Sequence, residues 1–202
     1  MPHTCGNCLP SPTALSIRTD VLYVGRFVED KRLGNLVEGF ARFAQAVPDS
    51  RLVLVGDGVE RSNLPKLVKE CSIEERVLFV GWVDGFTDLS ELHDTAFCSV
   101  SAGFAGLGLT QSAGFGMPMA VAEGELHSPE IELSAIGAVC WYGSNSEIEL
   151  SEILRTQWDS RLNVPDLRIW SYVRERYSAE AMASSLFSAL INEPQILETK
   201  WE

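Results

Sequence analysis

The chain has 202 residues, of which 46% are hydrophobic and 22% charged, and this composition predicts one domain with a sizeable core. The formal net charge of −12 and the lack of any Lys/Arg run argue against nucleic acids as partners. No apolar run approaches the roughly 18–20 residues of a membrane helix, and no secretory signal is recognisable, so we expect a cytoplasmic protein with at most peripheral membrane association through a partner.

The first 20 residues are rich in Pro, Ser and Thr and predict an N-terminal tail or linker. Cys5 and Cys8 form a CxxC pair beside His3. A structural zinc site needs a fourth ligand, and the chain has no second CxxC and no HxxxH, so an ordinary tail is favoured. Three further cysteines are expected to pack as small core residues: Cys71, Cys98 and Cys140.

Six continuous apolar runs predict strands buried on both faces: 21–25, 51–56, 77–81, 96–100, 119–122 and 138–142. Amphipathic segments predict helices at 33–46, 60–71, 88–95, 146–158, 166–176 and 179–191, with Thr87 as a candidate cap of the third. This alternation predicts an α/β fold, a single Rossmann-like doubly wound parallel sheet. The predicted domain covers 21–191, between a tail of 1–20 and a tail of 192–202.

Ligands of doubly wound sheets bind where loops leave the carboxyl ends of the strands. Three such loops have a distinctive composition: GRFVEDKR (25–32), GDG (56–58) and the glycine-rich GFAGLGLTQSAGFGMP (103–118). The third contains no charged residue. We therefore expect a ligand site where these loops meet.

Two cations flank the turn after the first strand. Arg26 offers a planar fork of donors and Lys31 a mobile ammonium, which together suit a diphosphate. The alternative is a pair of solvated side chains that form surface ion pairs with Glu29 and Asp30. Taken alone, the turn does not decide between the two interpretations.

A helix that begins near Gly106–Leu107 would present free N–H groups and the positive end of its dipole to an anion. The alternative is a turn in which the glycines only allow a helix and the sheet to touch. The segment is neither a dinucleotide fingerprint, because GLGLTQ lacks the third small residue of GxGxxG, nor a P-loop, because no GK[ST] follows.

The order of motifs resembles the C-terminal, donor-binding half of family 4 glycosyltransferases. The motifs are VLYVGRFVEDKR, RLVLVGDGVERSNL, RVLFVGWV, the glycine-rich segment ending GMP, PEI and YVRERYSAEAMA, and they extend over 20–190. The resemblance implies one half of a GT-B fold and a retaining, metal-free sugar transfer from a nucleoside diphosphate sugar, with no further cofactor. No DxD motif is present.

The same resemblance assigns the diphosphate site. It implies that Arg26 and Lys31, on the turn that starts at Gly25, bind the diphosphate and stabilise the leaving group. It also implies that the backbone of Gly106 and Leu107 donates hydrogen bonds to the donor phosphates.

Two further elements follow from the resemblance. The backbone around Val80 and Trp82 corresponds to the loop that holds the nucleotide base, and Pro129-Glu130-Ile131 corresponds to a PEI-type element near the end of the sheet.

The glycine-rich segment departs from the family pattern of two glutamates eight positions apart. Gly103 and Gln111 occupy these positions. Gln111 can still hydrogen-bond a ribose diol, and its neutrality removes a like charge from the diphosphate. The role of the first glutamate is lost unless Glu123, Glu125 or Glu130 replaces it.

Two histidines lie near the predicted site. His127 is interpreted as a solvent-exposed residue of a charged loop rather than a catalytic or phosphate-binding group, and His93 as structural. A metal site of Glu123, Glu125, His127 and Glu130 is conceivable from residue type alone, whereas the resemblance implies none.

We therefore favour a glycosyltransferase donor module that works with an acceptor-binding domain or partner subunit, because a GT-B enzyme binds its acceptor on the other half. A non-catalytic nucleotide-sugar-binding module is the alternative, consistent with Gly103 and Gln111. A nucleotide-dependent oxidoreductase is a third hypothesis, but the first turn lacks its fingerprint.

Overall fold

A computed structural model describes residues 17–191. In this part of the chain one sheet contains six strands: β1 (Asp20–Val24), β2 (Arg51–Val55), β3 (Val77–Gly81), β4 (Ala96–Ser101), β5 (Met119–Ala122) and β6 (Val139–Tyr142). Seven α-helices surround it: α1 (Leu33–Ala46), α2 (Leu64–Glu70), α3 (Phe86–Thr95), α4 (Leu107–Gly114), α5 (Glu147–Asp159), α6 (Leu167–Tyr177) and α7 (Ala179–Leu190).

The strands are all parallel and follow the order β3-β2-β1-β4-β5-β6. The chain moves outward in one direction from β1 and in the other direction from β4. The carboxyl ends of these two neighbours therefore form the switch point of the sheet, where doubly wound folds bind their ligands. The predicted fold class is confirmed.

Both faces of the sheet are covered, which explains the continuous apolar runs. On one face, α1 and α5 pack together, with Phe40, Phe43 and Leu150 inaccessible or nearly so. On the other face, α4, α6 and the 3-10 helix Pro129–Ile136 enclose a second cluster that includes Leu109 and Leu133. A third, smaller cluster includes Leu22 of β1 and Val53 and Val55 of β2.

The strand β3 differs from the prediction of a strand buried on both faces. It is the edge strand beside β2, and its residues alternate between half-buried and exposed. Leu78 is 49% exposed. The neighbouring β2 carries no exposed residue after Arg51, so the difference comes from position at the sheet edge, which an apolar run alone does not reveal.

Most predicted boundaries agree with the structure within one or two residues, and α1, β3 and β5 agree at both ends. The segment 60–71 instead divides into a 3-10 helix, Val59–Ser62, and α2. The predicted cap at Thr87 is wrong, because α3 begins at Phe86 after Gly85 without any side-chain cap. A helix that starts there stacks Phe86 against Phe115, with ring centroids 6.0 Å apart.

The residues before β1 already belong to the folded structure from position 18. The buried Arg18 donates hydrogen bonds through its guanidinium to the carbonyls of His93 (2.6 Å) and Ala96 (2.7 Å). Asp20, the first residue of β1, is buried and paired with Arg51 at 2.8 Å. The CxxC pair of Cys5 and Cys8 lies outside the described residues.

Candidate functional site

The turn between β1 and α1 is held close to the neighbouring strands. The Gly25 amide donates to the carbonyl of Val55 and the Phe27 amide to that of Asp57. The Tyr23 hydroxyl donates to the carbonyl of Arg26 at 2.9 Å. These bonds fix the path of the backbone, while the side chain of Arg26 remains exposed.

Lys31 reaches from this turn to the glycine-rich loop. Its ammonium donates a hydrogen bond to the carbonyl of Phe104 at 2.7 Å and lies 4.4 Å from the centre of the Phe104 ring. In return, the Phe104 amide donates to the carbonyl of Asp30. Burial lowers the pKa of the Lys31 ammonium; Asp30 opposes this shift and the positive Arg26 adds to it. The two predicted cations therefore lie close enough to influence each other.

The close approach of these two segments explains why residue 103 is a glycine. A Cβ atom built on Gly103 would lie 2.0 Å from the carbonyl oxygen of Asp30, well inside van der Waals contact. The backbone of the turn thus occupies the place where a side chain at this position would begin. A glutamate at position 103 cannot be accommodated without moving the loop.

The first turn of α4 has unused hydrogen-bond donors. Gly106 precedes the helix and provides no side-chain cap, and no acidic residue lies in the first turn. Within residues 17–191, the amides of Leu107 and Gly108 have no hydrogen-bond acceptor. Together with the helix dipole, such amides form a site for an anion.

A cleft of about 120 Å³ opens between the ends of β1 and β4 and the start of α4. It brings together five of the predicted binding residues: Gly25, Lys31, Gly106, Leu107 and Gln111. Lys31 is the one formally charged side chain among the residues that line the cleft, and none of them is acidic. In a chain with a net charge of −12, this cleft is suited to a negatively charged ligand.

The other three predicted binding residues lie outside the cleft lining. Arg26 directly follows Gly25, which lines the cleft, and its side chain is exposed. Val80 and Trp82, at the end of β3, are 37% and 65% exposed. The strand β2 separates them from β1, so a ligand that contacts both places must extend across the sheet edge.

Sequence reasoning missed the polar floor of the cleft. Ser99 on β4 and Ser112 on α4 share a hydrogen bond of 2.5 Å beneath the helix. His93 also lines the cleft; its Nδ1 lies 2.6 Å from the carbonyl of Leu89, and its ring stacks on Phe115 with centroids 3.9 Å apart. A local pattern could not have revealed this floor, because its members belong to three different elements.

His93 makes the stability of the protein depend on pH. Burial lowers the pKa of this imidazole to about 4 from the ordinary 6.5, so the folded protein keeps it neutral while an unfolded chain protonates it near pH 6.5. The free energy of unfolding should therefore fall by about 2 kcal/mol between pH 7 and pH 5 through this residue alone. Urea unfolding at both pH values measures the change.

The control is His93→Phe, which keeps an aromatic ring against Phe115 and cannot be protonated. The variant should lose about 2 kcal/mol less than the wild type over the same pH interval. An equal loss in the two proteins would contradict the assignment to His93.

His127 is half-buried, and the interpretation as a solvent-exposed residue is wrong. Its Nδ1 accepts a hydrogen bond from the Ala105 amide at 3.2 Å, and its Nε2 lies 3.0 Å from the carbonyl of Ala122. The loop after β5 folds over the glycine-rich loop, so both ring nitrogens meet the backbone. The sequence does place His127 in a loop at the carboxyl ends of the strands, close to the candidate site. It does not reveal which backbone groups the ring contacts.

The acidic residues named as replacements for the missing glutamate do not line the cleft. Glu125 pairs with Arg32 at 3.0 Å and accepts a hydrogen bond from Ser144 at 2.5 Å. Glu123 is exposed, and one buried carboxylate oxygen of Glu130 has no hydrogen-bond partner in the described part of the chain. Across residues 17–191, no group of three or more His, Cys, Asp or Glu side chains is arranged to hold a metal ion.

In the same range, no helix combines the length and the apolar character that crossing a bilayer requires.

Solved structures share this architecture. The chain matches TarM of S. aureus, solved in complex with UDP among other ligands, with a TM-score of 0.75 and 14% identity over 89% of the chain and 36% of TarM. It matches HepE of Anabaena, also solved with UDP, with a TM-score of 0.72 and 17% identity over 87% of the chain and 49% of HepE. At such identities the likeness concerns the fold, which is that of GT-B glycosyltransferase domains.

Curated relatives are also similar in sequence. The N-acetyl-alpha-D-glucosaminyl L-malate synthase of Bacillus anthracis is 34% identical over 98 residues, 48% of this chain and 26% of the relative. The Vi polysaccharide biosynthesis protein VipC/TviE of Salmonella typhi is 26% identical over 184 residues, 85% of this chain and 30% of the relative. The matched segments thus cover well under half the length of either relative.

The sequence model of the family described as "Glycosyl transferases group 1" matches residues 15–123, more than half of the chain. This range contains the β1–α1 turn, the glycine-rich loop and the start of α4, which are the elements that form the cleft. The chain therefore belongs to the group 1 glycosyltransferase family.

Proposed function

We propose that this chain is the C-terminal, donor-binding half of a retaining glycosyltransferase of family 4, and that its cleft binds the diphosphate of a nucleoside diphosphate sugar. One observation carries the proposal: the uncapped start of α4 and the ammonium of Lys31 meet at a cleft without acidic side chains, at the switch point of the sheet. Free amides and a cation stabilise an anion there without any rearrangement.

The remaining predicted residues fit an extended donor. In parallel sheets, strands lie about 4.8 Å apart, so the end of β3 is roughly 10 Å from the end of β1. A nucleotide with its diphosphate beside Lys31 would place its base near Val80 and Trp82. Gln111, which lines the cleft, would hydrogen-bond the ribose.

Transfer requires stabilisation of the departing diphosphate. As the bond to the sugar breaks, negative charge grows on the phosphate oxygens, and fixed donors at that position lower the barrier. In the proposal, Lys31, Arg26 and the amides of Leu107 and Gly108 supply this stabilisation without a metal ion. The acceptor would bind to another domain or a partner subunit, because this chain spans only part of its relatives.

Calorimetric titration with UDP tests the donor site directly. The variant Arg26→Ala should bind UDP about tenfold more weakly than the wild type, because a hydrogen bond to a charged group is lost. Arg155→Ala is the matched control: Arg155 lies on α5, is about half exposed and pairs with Asp159 at 3.5 Å. If UDP-, GDP- and ADP-sugars give neither heat nor a thermal shift with the wild type, the proposal fails.

A non-catalytic nucleotide-sugar-binding module is the second candidate, and two observations favour it. No carboxylate lines the cleft, and Gly103 has no room for a side chain. This module would bind UDP-sugars normally and yield no product with any acceptor-binding partner. Because the chain belongs to a glycosyltransferase family, the oxidoreductase hypothesis loses its support.

A further inference from the structure

Ala105, two residues before the start of α4, is held at both its amide and its carbonyl by the loop after β5. The Ala105 amide donates to His127 Nδ1 at 3.2 Å. The Ala105 carbonyl accepts hydrogen bonds from the Ser128 amide and the Ser128 hydroxyl, each at 3.0 Å. Ala105 is only 3% exposed, so these hydrogen bonds are shielded from water on its side and are stronger than they would be in bulk solvent.

The hydrogen-bond partners of His127 decide which tautomer its neutral ring adopts. Because Nδ1 accepts a hydrogen bond from an amide, a neutral ring carries its proton on Nε2, which then donates to the carbonyl of Ala122 at 3.0 Å. The ring thus connects the last residue of β5 to the glycine-rich loop. Its other neighbour is Trp141 on β6, with ring centroids 5.8 Å apart.

The glycine-rich loop is therefore held from two directions at consecutive residues. The β1–α1 turn holds Phe104 through Asp30 and Lys31, while the loop after β5 holds Ala105 through His127 and Ser128. The next residues are Gly106 to Gly108, whose amides face no protein acceptor within residues 17–191. Their direction depends on how firmly Ala105 is fixed.

We propose that His127 is a positioning residue of the diphosphate site: its neutral imidazole, protonated on Nε2, holds Ala105 so that the amides of Gly106, Leu107 and Gly108 converge on the bound diphosphate. His127 does not line the cleft and acts through Ala105. Fixed donors bind an anion more tightly than mobile ones, because less ordering is needed on binding. This inference rests on the proposed function.

Two isosteric substitutions separate the two bonds of the ring. His127→Asn keeps an acceptor in the place of Nδ1 and loses the bond to Ala122, whereas His127→Gln keeps a donor in the place of Nε2 and loses the bond to Ala105. Titration with UDP at pH 8 should show Gln and Ala at position 127 weakening affinity about fivefold, and Asn staying within about twofold of the wild type. Thermal unfolding verifies that every variant is folded.

The outcomes separate the inference from the function on which it rests. If the Gln and Ala variants bind UDP as tightly as the wild type, His127 does not position the site. If the Gln variant binds UDP normally and the Asn variant does not, His127 does not act through Ala105. If the wild type binds no nucleotide, the proposed function fails. In that case NMR still decides the geometry.

By NMR, Nδ1 of His127 should resonate as an unprotonated nitrogen. The Ala105 amide should exchange slowly with solvent in the wild type and the Asn variant and at least about fivefold faster in the Gln variant. A protonated Nδ1, or equal exchange of that amide in the Asn and Gln variants, would overturn the assignment.

Discussion

Replacing Lys31 by methionine should weaken UDP binding by about 100-fold. The ammonium lies at the cleft that contains the start of α4, and Lys31 is the one formally charged side chain among the lining residues. Its loss removes at least one charge-assisted hydrogen bond to the diphosphate, worth about 1.5–3 kcal/mol. It also removes the bond of 2.7 Å to the Phe104 carbonyl, which fixes the loop before the free amides. Isothermal titration calorimetry measures the change.

Methionine is chosen because its side chain has nearly the length of lysine and can keep packing on the Phe104 ring, which lies 4.4 Å from the ammonium. The matched control is Lys66→Met on α2, where the lysine is exposed and does not line the cleft. We expect Lys66→Met to bind UDP like the wild type. A Lys31→Met protein that binds within about twofold of the wild type would refute the diphosphate site.

A salt titration adds a second readout. Because a cation and a helix dipole provide most of the proposed attraction, the affinity of the wild type for UDP should fall as ionic strength rises. The Lys31→Met variant should show a smaller dependence, since one charge has been removed from the site.

Replacing Gly103 by alanine should lower the free energy of unfolding by about 4 kcal/mol, at the upper end of single-residue effects, because the new Cβ meets backbone that cannot move alone. The Cβ would lie 2.0 Å from the Asp30 oxygen and within 3.2 Å of the Lys31 carbonyl carbon. The turn that carries Lys31 and the glycine-rich loop must separate. Urea unfolding measures the loss, and UDP binding should weaken in the same protein.

Gly108→Ala is the matched control for stability. Gly108 is also in the glycine-rich segment, but it lies in the first turn of α4 and a Cβ there meets the Val24 carbonyl oxygen at an ordinary 3.5 Å. Alanine in place of glycine in a helix contributes up to about 1 kcal/mol, so this variant should be as stable as the wild type or more stable. Equal losses at positions 103 and 108 would contradict the steric argument.

The lack of space at position 103 also concerns the two-glutamate pattern. At position 103 the side chain is absent because the neighbouring turn fills its space, so the departure from the family pattern is coupled to the short distance between the two loops. A catalytic role for a carboxylate would have to come from outside the cleft lining described for residues 17–191. The need for such a carboxylate distinguishes the transferase from the non-catalytic nucleotide-sugar-binding module.

The sequence by itself determined the architecture and predicted a candidate cleft at the carboxyl ends of the strands. Buried parallel strands appear as continuous apolar runs, and the 3.6-residue period of 33–46, ended before Pro48, determined both ends of α1. Because ligand-binding loops meet at the carboxyl ends of the strands in such a sheet, the sequence alone predicts that Lys31, Gly106 and Leu107 lie together, as they do in the cleft. These features depend on interactions close along the chain or on a general rule of topology.

Only the tertiary structure decided which atoms meet. Lys31 bonds a carbonyl 73 positions away, Gly103 touches the backbone of Asp30, and His127 bonds an amide 22 positions away. The edge position of β3 and the burial of His93 were likewise decided only by the tertiary structure. The physical reason is that such contacts depend on crossover paths and loop lengths to within about an ångström. Hydrogen-bond geometry tolerates deviations of only a few tenths of an ångström. A residue pattern, in contrast, specifies only which face of an element is apolar and where the element ends.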